Sequence, residues 1–231
     1  MNKLSIDPNI AHVGLDSGAL TMLGAVVHRF EEPGEYRGTV RGGGAIERTF
    51  YLSVDKESAV AAADIDLAKL AGSLPRKAEK DAGCCTDEGE VRFSVNPRGY
   101  VLFRVSGGQG GYSVNLRRAD PNEKTPVFNS TALDGGASFS ARVLRPGTYA
   151  VTNARGKAPR ATLTVAYPPK AFSGYRPPEA LKVEVTERGF APDKIQLMPA
   201  QGLIFDCRAP ARIVITLEKA DDGPGKGGKP K

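Results

Sequence analysis

Six short runs of strand character crowd into residues 90–167, each cut from the next by a turn. They read "VRFSV", "GYVLFRV", "YSVNLRR", "ASFSARVL", "GTYAVTN" and "ATLTVAY", and the breaks between them are "NPRG", "GGQGG", "DPNE", "DGG" and "RPG". Alternation is plain at Val91, Phe93 and Val95, and again at Leu163 and Val165, where threonines intervene. An apolar residue at every second position suits a strand with one buried and one wetted face. Regular spacing with such breaks predicts an antiparallel sandwich over 90–167. With 27 glycines and 17 prolines in 231 residues, the chain has the turn formers that many short strands require.

One turn is written twice. "FEEPGEYRGTV" begins at Phe30 and "VLRPGTYAVTN" at Val143, and both place Pro-Gly, one variable residue and Tyr ahead of a strand-like run. Proline fixes the backbone angle entering the turn and glycine supplies the angle leaving it. A tyrosine two residues on can lay its ring on a sheet edge while its hydroxyl reaches a backbone group, as in a tyrosine corner. Pro33, Gly34, Tyr36, Pro146, Gly147 and Tyr149 are therefore expected to be structural, each copy marking one sandwich.

The remaining segments give the domain organisation. Residues 1–18 read as an irregular arm, and 19–72 as a β module holding "ALTMLGAVVHRF", "EYRGTV" and "AIERTFYLSV". A helix is predicted over 56–72, with Ser58 as cap, Leu67 and Leu70 on one face and Gly72 as the stop. Residues 73–89 are polar and read as a linker, and the proline-rich stretch 168–180 as another. Residues 181–218 hold four more predicted strands, and 219–231 form a basic, low-complexity tail. The fold class expected is all-β: two to three small antiparallel sandwich modules with one short helix and flexible termini.

Residues 183–217, "VEVTERGFAPDKIQLMPAQGLIFDCRAPARIVITL", resemble the first half of a cupredoxin, and "HRFEEPGEYRGTV" at 28–40 is similar to that family's second half. The resemblance implies cupredoxin-like or immunoglobulin-like modules, with 19–55 a candidate to complete 181–218. It covers about a third of the chain. Copper in that family needs two histidines, a cysteine and usually a weak axial ligand. The place of its first histidine falls near Ala211 and Arg212, and that of its cysteine near Val40 in one copy and Asn153 in the other. None of these side chains ligates copper, so the resemblance implies the scaffold without the metal.

Chemistry is sparse. His12 and His28 are the two histidines, and Cys84, Cys85 and Cys207 the three cysteines, with no zinc-type spacing among them. Cys84 and Cys85 read as exposed thiols in a linker, and Cys207, inside "LIFDC", as a small buried apolar residue. No nucleophile-elbow sequence accompanies the histidines, and "RGGG" and "SGGQGG" lack the flanking elements of a phosphate loop. No catalytic residue, metal ligand or cofactor is therefore expected.

The formal net charge is +6, and acidic and basic residues mix along most of the chain. A polyanion contact, if one exists, would use Arg117, Arg118, Arg155, Lys157 and Arg160 with Lys226, Lys229 and Lys231 of the tail. Aromatics interleave poorly with these, so nucleic acid is not the expected partner. No apolar run is long enough to span a bilayer, and the N-terminus lacks the apolar core of a secretory signal. The expected location is the cytoplasm, with peripheral attachment to an acidic membrane surface as the variant.

The function expected is that of a non-catalytic structural or accessory subunit, binding other subunits of a larger complex through its sandwich surfaces and arms. Alternatives are an accessory subunit on the cytoplasmic face of a membrane-bound electron-transfer complex, a metal or redox protein, and a polyanion- or glycan-binding module.

Overall fold

A computed structural model describes residues 14–42, 47–72, 90–157, 159–166 and 175–221. Residues 1–13 of the expected arm, the linker 73–89, most of the second linker and most of the tail lie outside these residues, and the end of the arm is not irregular, because Leu15–Asp16 pairs with Val214 and Ile215 as a strand. In chain order the strands are β1 (Leu15–Asp16), β2 (Gly24–Arg29), β3 (Gly34–Arg41), β4 (Glu47–Val54), β5 (Ala62–Asp66), β6 (Arg92–Val95), β7 (Tyr100–Arg104) and β8 (Ser113–Arg118). They continue as β9 (Pro126–Asn129), β10 (Ala137–Arg142), β11 (Gly147–Asn153), β12 (Ala161–Val165) and β13 (Leu181–Thr186). The last four are β14 (Gly189–Ala191), β15 (Lys194–Leu197), β16 (Gly202–Cys207) and β17 (Ile213–Ala220). One turn of helix, α1 (Leu67–Leu70), completes the described elements. The chain is all-β, as its turn chemistry predicts.

Three sheets form. A seven-stranded sheet runs β14-β13-β16-β10-β2-β7-β5, and two five-stranded sheets run β6-β4-β3-β8-β9 and β1-β17-β11-β12-β15. Across the long sheet, cross-strand pairing lines up Ile65, Phe103, Val26, Phe139, Phe205 and Val183, one from each of six strands. All six are 0% exposed. A row of that kind exists only if another layer covers it. Phe103 meets Phe50 and Phe128 of the first five-stranded sheet, at centroid separations of 6.4 and 5.2 Å. The arrangement is compatible with a β-sandwich whose long sheet spans two layered halves.

The repeated turn belongs to a longer repeat. Tyr36 donates its hydroxyl to the Glu32 carbonyl at 2.7 Å, and Tyr149 does the same to Arg145 at 2.7 Å. Subtracting 36 from 149 gives 113, and the same interval recurs outside the turn. The Ser17 amide donates to the Ile213 carbonyl at 3.0 Å, while the Ile213 amide donates to Ser17 Oγ at 3.1 Å. Ser130, which also follows Ser17 by 113, makes the matching pair with Val114 at 2.9 and 3.0 Å. Gly18 and Thr131 each donate a backbone N–H to the side chain two residues back, Asp16 or Asn129. "LDSGAL" at 15–20 and "FNSTAL" at 128–133 are thus the same piece of structure.

The two copies are related by an approximate two-fold through the β2–β10 seam. There Val26 faces Phe139, its own counterpart, while Ala137 pairs with His28 and Ala141 with Gly24. In each copy the leading strand leaves its own half. β1 adds to the edge of β17, deep in the second copy, and β9 adds to β8 in the first. A bidentate ion pair at 3.0 and 2.7 Å from Arg212 to Asp16 fastens β1. Gly18 leaves the space in which the Arg212 guanidinium lies.

Three sequence expectations differ from this. The boundaries 19–72, 90–167 and 181–218 cut across the pairing: β6–β9 join β2–β5, whereas β10–β12 join β13–β17. Turns mark where strands end and carry no information about which strands pair. The helix over 56–72 shrinks to four residues, and Ala62–Asp66 forms β5 instead. Parallel pairing with β7 buries Ala63 and Ile65 together, which outweighs the local helix preference of alanine. The cap is Asp66, whose carboxylate accepts the Ala68 and Lys69 amides at 3.1 and 3.5 Å, and not Ser58.

Candidate binding cleft

At one end of the seam, where β2 runs out and β10 begins, a cleft of about 860 Å³ is lined by residues from both faces of the long sheet. Its floor is His28. Alternation turns Val26 and His28 inward on β2, and Phe30 follows in the same phase. The imidazole stacks on Phe128 at 4.9 Å and meets the edge of Phe30 at 4.7 Å. It is 9% exposed, and its Nδ1 is buried with no hydrogen-bond partner. Burial pushes its pKa down to about 4, so the ring is neutral at pH 7. A buried bare nitrogen costs less than a buried N–H without an acceptor, so the single ring proton belongs on Nε2.

The walls carry charge of both signs. Glu32 is tied to Arg118, and Asp206 to Arg208 at 2.8 Å, with Glu184 3.7 Å from the same guanidinium. Arg29 and Glu31, which also line the cleft, form no ion pair among the described residues. The rim is apolar: Tyr100 is 45% exposed and Val127 38%. Gly135 and Gly136 form the lip opposite His28, and a Cβ on Gly135 would meet nothing within 4 Å.

Of the residues picked out from sequence, the Pro-Gly-x-Tyr motifs sit one in each copy, and Tyr36 also lines the cleft. The basic residues are not gathered. Arg117 and Arg118 lie on β8 in the first five-stranded sheet, while Arg155, Lys157 and Arg160 flank the β11–β12 connection in the other. Arg118 is engaged by Glu32 and Glu123, and Arg160 by Glu218 at 2.8 Å. Lys226, Lys229, Lys231, His12, Cys84 and Cys85 lie outside the described residues. Ala211 is buried, Arg212 holds Asp16, Val40 is in the core, and the Asn153 side-chain oxygen Oδ1 accepts the backbone amides of Arg155 and Arg212 at 3.0 Å each. Among the described residues no three His, Cys, Asp or Glu side chains form a metal-holding group.

Cys207 is 0% exposed, and burial pushes its thiol up to about 12. The thiolate is the reactive form. Folded protein treated with a maleimide at pH 7.5 is therefore expected to leave the Cys207 peptide unlabelled by mass spectrometry, and to label it once denatured.

The cleft draws on β2, β3, β7, β9, β10 and β16, which no local motif connects. One signal was readable: "VVHRF" puts a histidine in phase with Val26 and Phe30, so an imidazole had to enter the core face. No helix among the described residues is long and apolar enough to cross a membrane. Compared with known protein families, characterised proteins and solved structures, the chain matches none.

Proposed function

We propose that this chain is a non-catalytic binding subunit that attaches to another protein through the uncovered face of its long sheet. The observation that carries the reading is the make-up of that face. Ala25 and Val27 of β2, Ser138 and Ser140 of β10, Leu102 of β7 and Ile204 of β16 point away from the covered layers and are half-buried. They form an uncharged centre of small and aliphatic side chains. Charge lies towards the ends and edges of the sheet, and part of it is paired: Arg104 is held by Asp64 at 2.8 Å and Asp66 at 3.4 Å, and Arg208 by Asp206 at 2.8 Å, while Arg29 and Lys182 form no ion pair among the described residues. An apolar centre inside a polar rim is the anatomy of a protein–protein contact.

Cupredoxin-like or immunoglobulin-like halves fit this reading. It draws on the two tyrosine turns and the layered sheets, with Ala211, Arg212, Val40 and Asn153 where copper ligands would stand. Ser140→Arg tests the binding role, because the new side chain would project from the face and disturb no core contact. Pull-down from native extract is expected to lose the partner, while the thermal midpoint moves by less than about 2 °C. Retention of the same partner by folded Ser140→Arg protein would overturn the assignment of this face.

A further inference from the structure

The approximate two-fold also acts on the open face of the long sheet, and one charge obeys it. Arg29 on β2 and Arg142 on β10 stand 113 apart, each on the same side of its strand as Val27 or Ser140. Comparing 15–40 with 128–153, this is the one position at which the copies share a charged residue. The other shared residues are buried or half-buried, or belong to the repeated turn. Elsewhere on the face, charge has diverged in sign. Asp64 stands where the other copy has Lys182, and Arg104 where it has Asp206.

The fold does not account for the shared arginine. Both side chains are exposed, and neither forms a hydrogen bond, ion pair or ring contact among the described residues. An exposed side chain without a partner adds little to stability. The acids on the strands of this face are all engaged, Asp64 and Asp66 by Arg104, and Asp206 and Glu184 by Arg208. The charges those strands leave unpaired are all positive: Arg29, Arg142 and Lys182. Glu31, the unpaired acid that lines the cleft with Arg29, lies in the turn beyond β2. Arg142 sits beside Leu23, six residues ahead of Arg29, so the two arginines are about 20 Å apart along the seam. Ala25, Val27, Ser138 and Ser140 fill that interval without a charge.

We infer that the open face docks an acidic protein, with one carboxylate meeting Arg29 and another meeting Arg142 across the uncharged centre. The inference rests on the binding role assigned to this face and names the chemistry of the partner. A nucleic acid would lay closely spaced phosphates against that centre, where no cation stands to meet them. Two carboxylates at a fixed separation, with an apolar interval between them, match what the face presents. Near Arg29 the face runs into the cleft, which Val27, Tyr100 and Ser138 also line. A carboxylate received there is sheltered from water, and its attraction to the guanidinium strengthens accordingly.

Pull-down with the full chain from native extract, with and without nuclease and over a series of bait concentrations, tests it by quantitative mass spectrometry. Arg29→Gln and Arg142→Gln are each expected to weaken retention of the parent's partner about ten-fold, and the double variant further. Both positions are exposed, so the thermal midpoint should move by less than about 2 °C. Arg29→Lys and Arg142→Lys keep the charge and should lose less. They also supply amines, so carbodiimide coupling of the bound complex is expected to join each position to an Asp or Glu of the partner. If Ser140→Arg loses the partner while the double Gln variant holds it as the parent does, the binding role stands and the acidic partner falls. If Ser140→Arg keeps the partner, or the parent retains nothing, both fall. The inference is also overturned if nuclease abolishes retention, if the retained protein is a second copy of this chain, or if neither position couples to an acid.

Discussion

Gly38→Val is expected to cost about 3 kcal/mol or more, and to turn from harmful to beneficial when Phe50 is replaced by alanine. Gly38 on β3 lies directly opposite Phe50 on β4, and a Cβ added there would lie 2.2 Å from the tip of the phenyl ring, far inside contact distance. The ring occupies the volume that glycine vacates, 1% exposed, with its edges towards Phe93 and Phe103. The second copy solves the same place in reverse, with Val151 on β11 opposite Ala161 on β12, both buried. Each copy holds one large and one small residue, and which strand supplies the large one is interchangeable. Phe50→Ala alone leaves a cavity and is expected to cost about 3–5 kcal/mol. Urea unfolding of the two single variants and the double variant checks the claim. A double variant less stable than Phe50→Ala alone would mean that the two copies do not share this packing.

That exchange shows which part of the fold the sequence carries openly. Alternation in "VRFSV" and "ATLTV" fixes which side chains turn inward, because a strand has no other period. The Pro-Gly-x-Tyr turns declare themselves because few residues meet their backbone demands. Pairing across long intervals is a different matter. β1 contributes two residues, Leu15 and Asp16, and nothing local says that they lie beside Val214 and Ile215. β5 reads "AADID", rich in a helix former, and becomes a strand only because β7 offers a parallel edge. The strand exchange is visible in sequence only to a comparison that sets "LDSGAL" on "FNSTAL" at the spacing of the two tyrosine turns.

The cleft was less legible than the fold. His28 stood out as one of two histidines and invited a metal reading, whereas its stacking on Phe128 depends on β9 crossing to the first copy. Arg29, Glu31, Gly135 and Gly136 are unremarkable as letters. They come together only when β10 is laid against β2.

Acid is expected to destabilise the protein through His28. The unfolded ring titrates near 6.5, while burial holds the folded ring down at about 4. Between these values the unfolded state takes up a proton and the folded state does not, so stability falls as pH drops from 6.5 to 4 and levels off below. Two and a half pKa units correspond to roughly 3 kcal/mol at pH 4. No charged partner sets this shift; its cause is desolvation between Phe30 and Phe128. The charges sharing the cleft, Arg29, Arg208, Glu31, Glu32 and Asp206, are of both signs. His28→Leu removes the titration and the unpartnered Nδ1 together, and should be at least as stable as the parent at pH 7. Carboxylates elsewhere contribute equally to both proteins, so the difference between their denaturation free energies isolates the histidine. That difference should grow by roughly 3 kcal/mol between pH 7 and pH 4. A constant difference across that range would mean that the ring protonates in the folded state as freely as in water, and so is not sealed beneath the cleft.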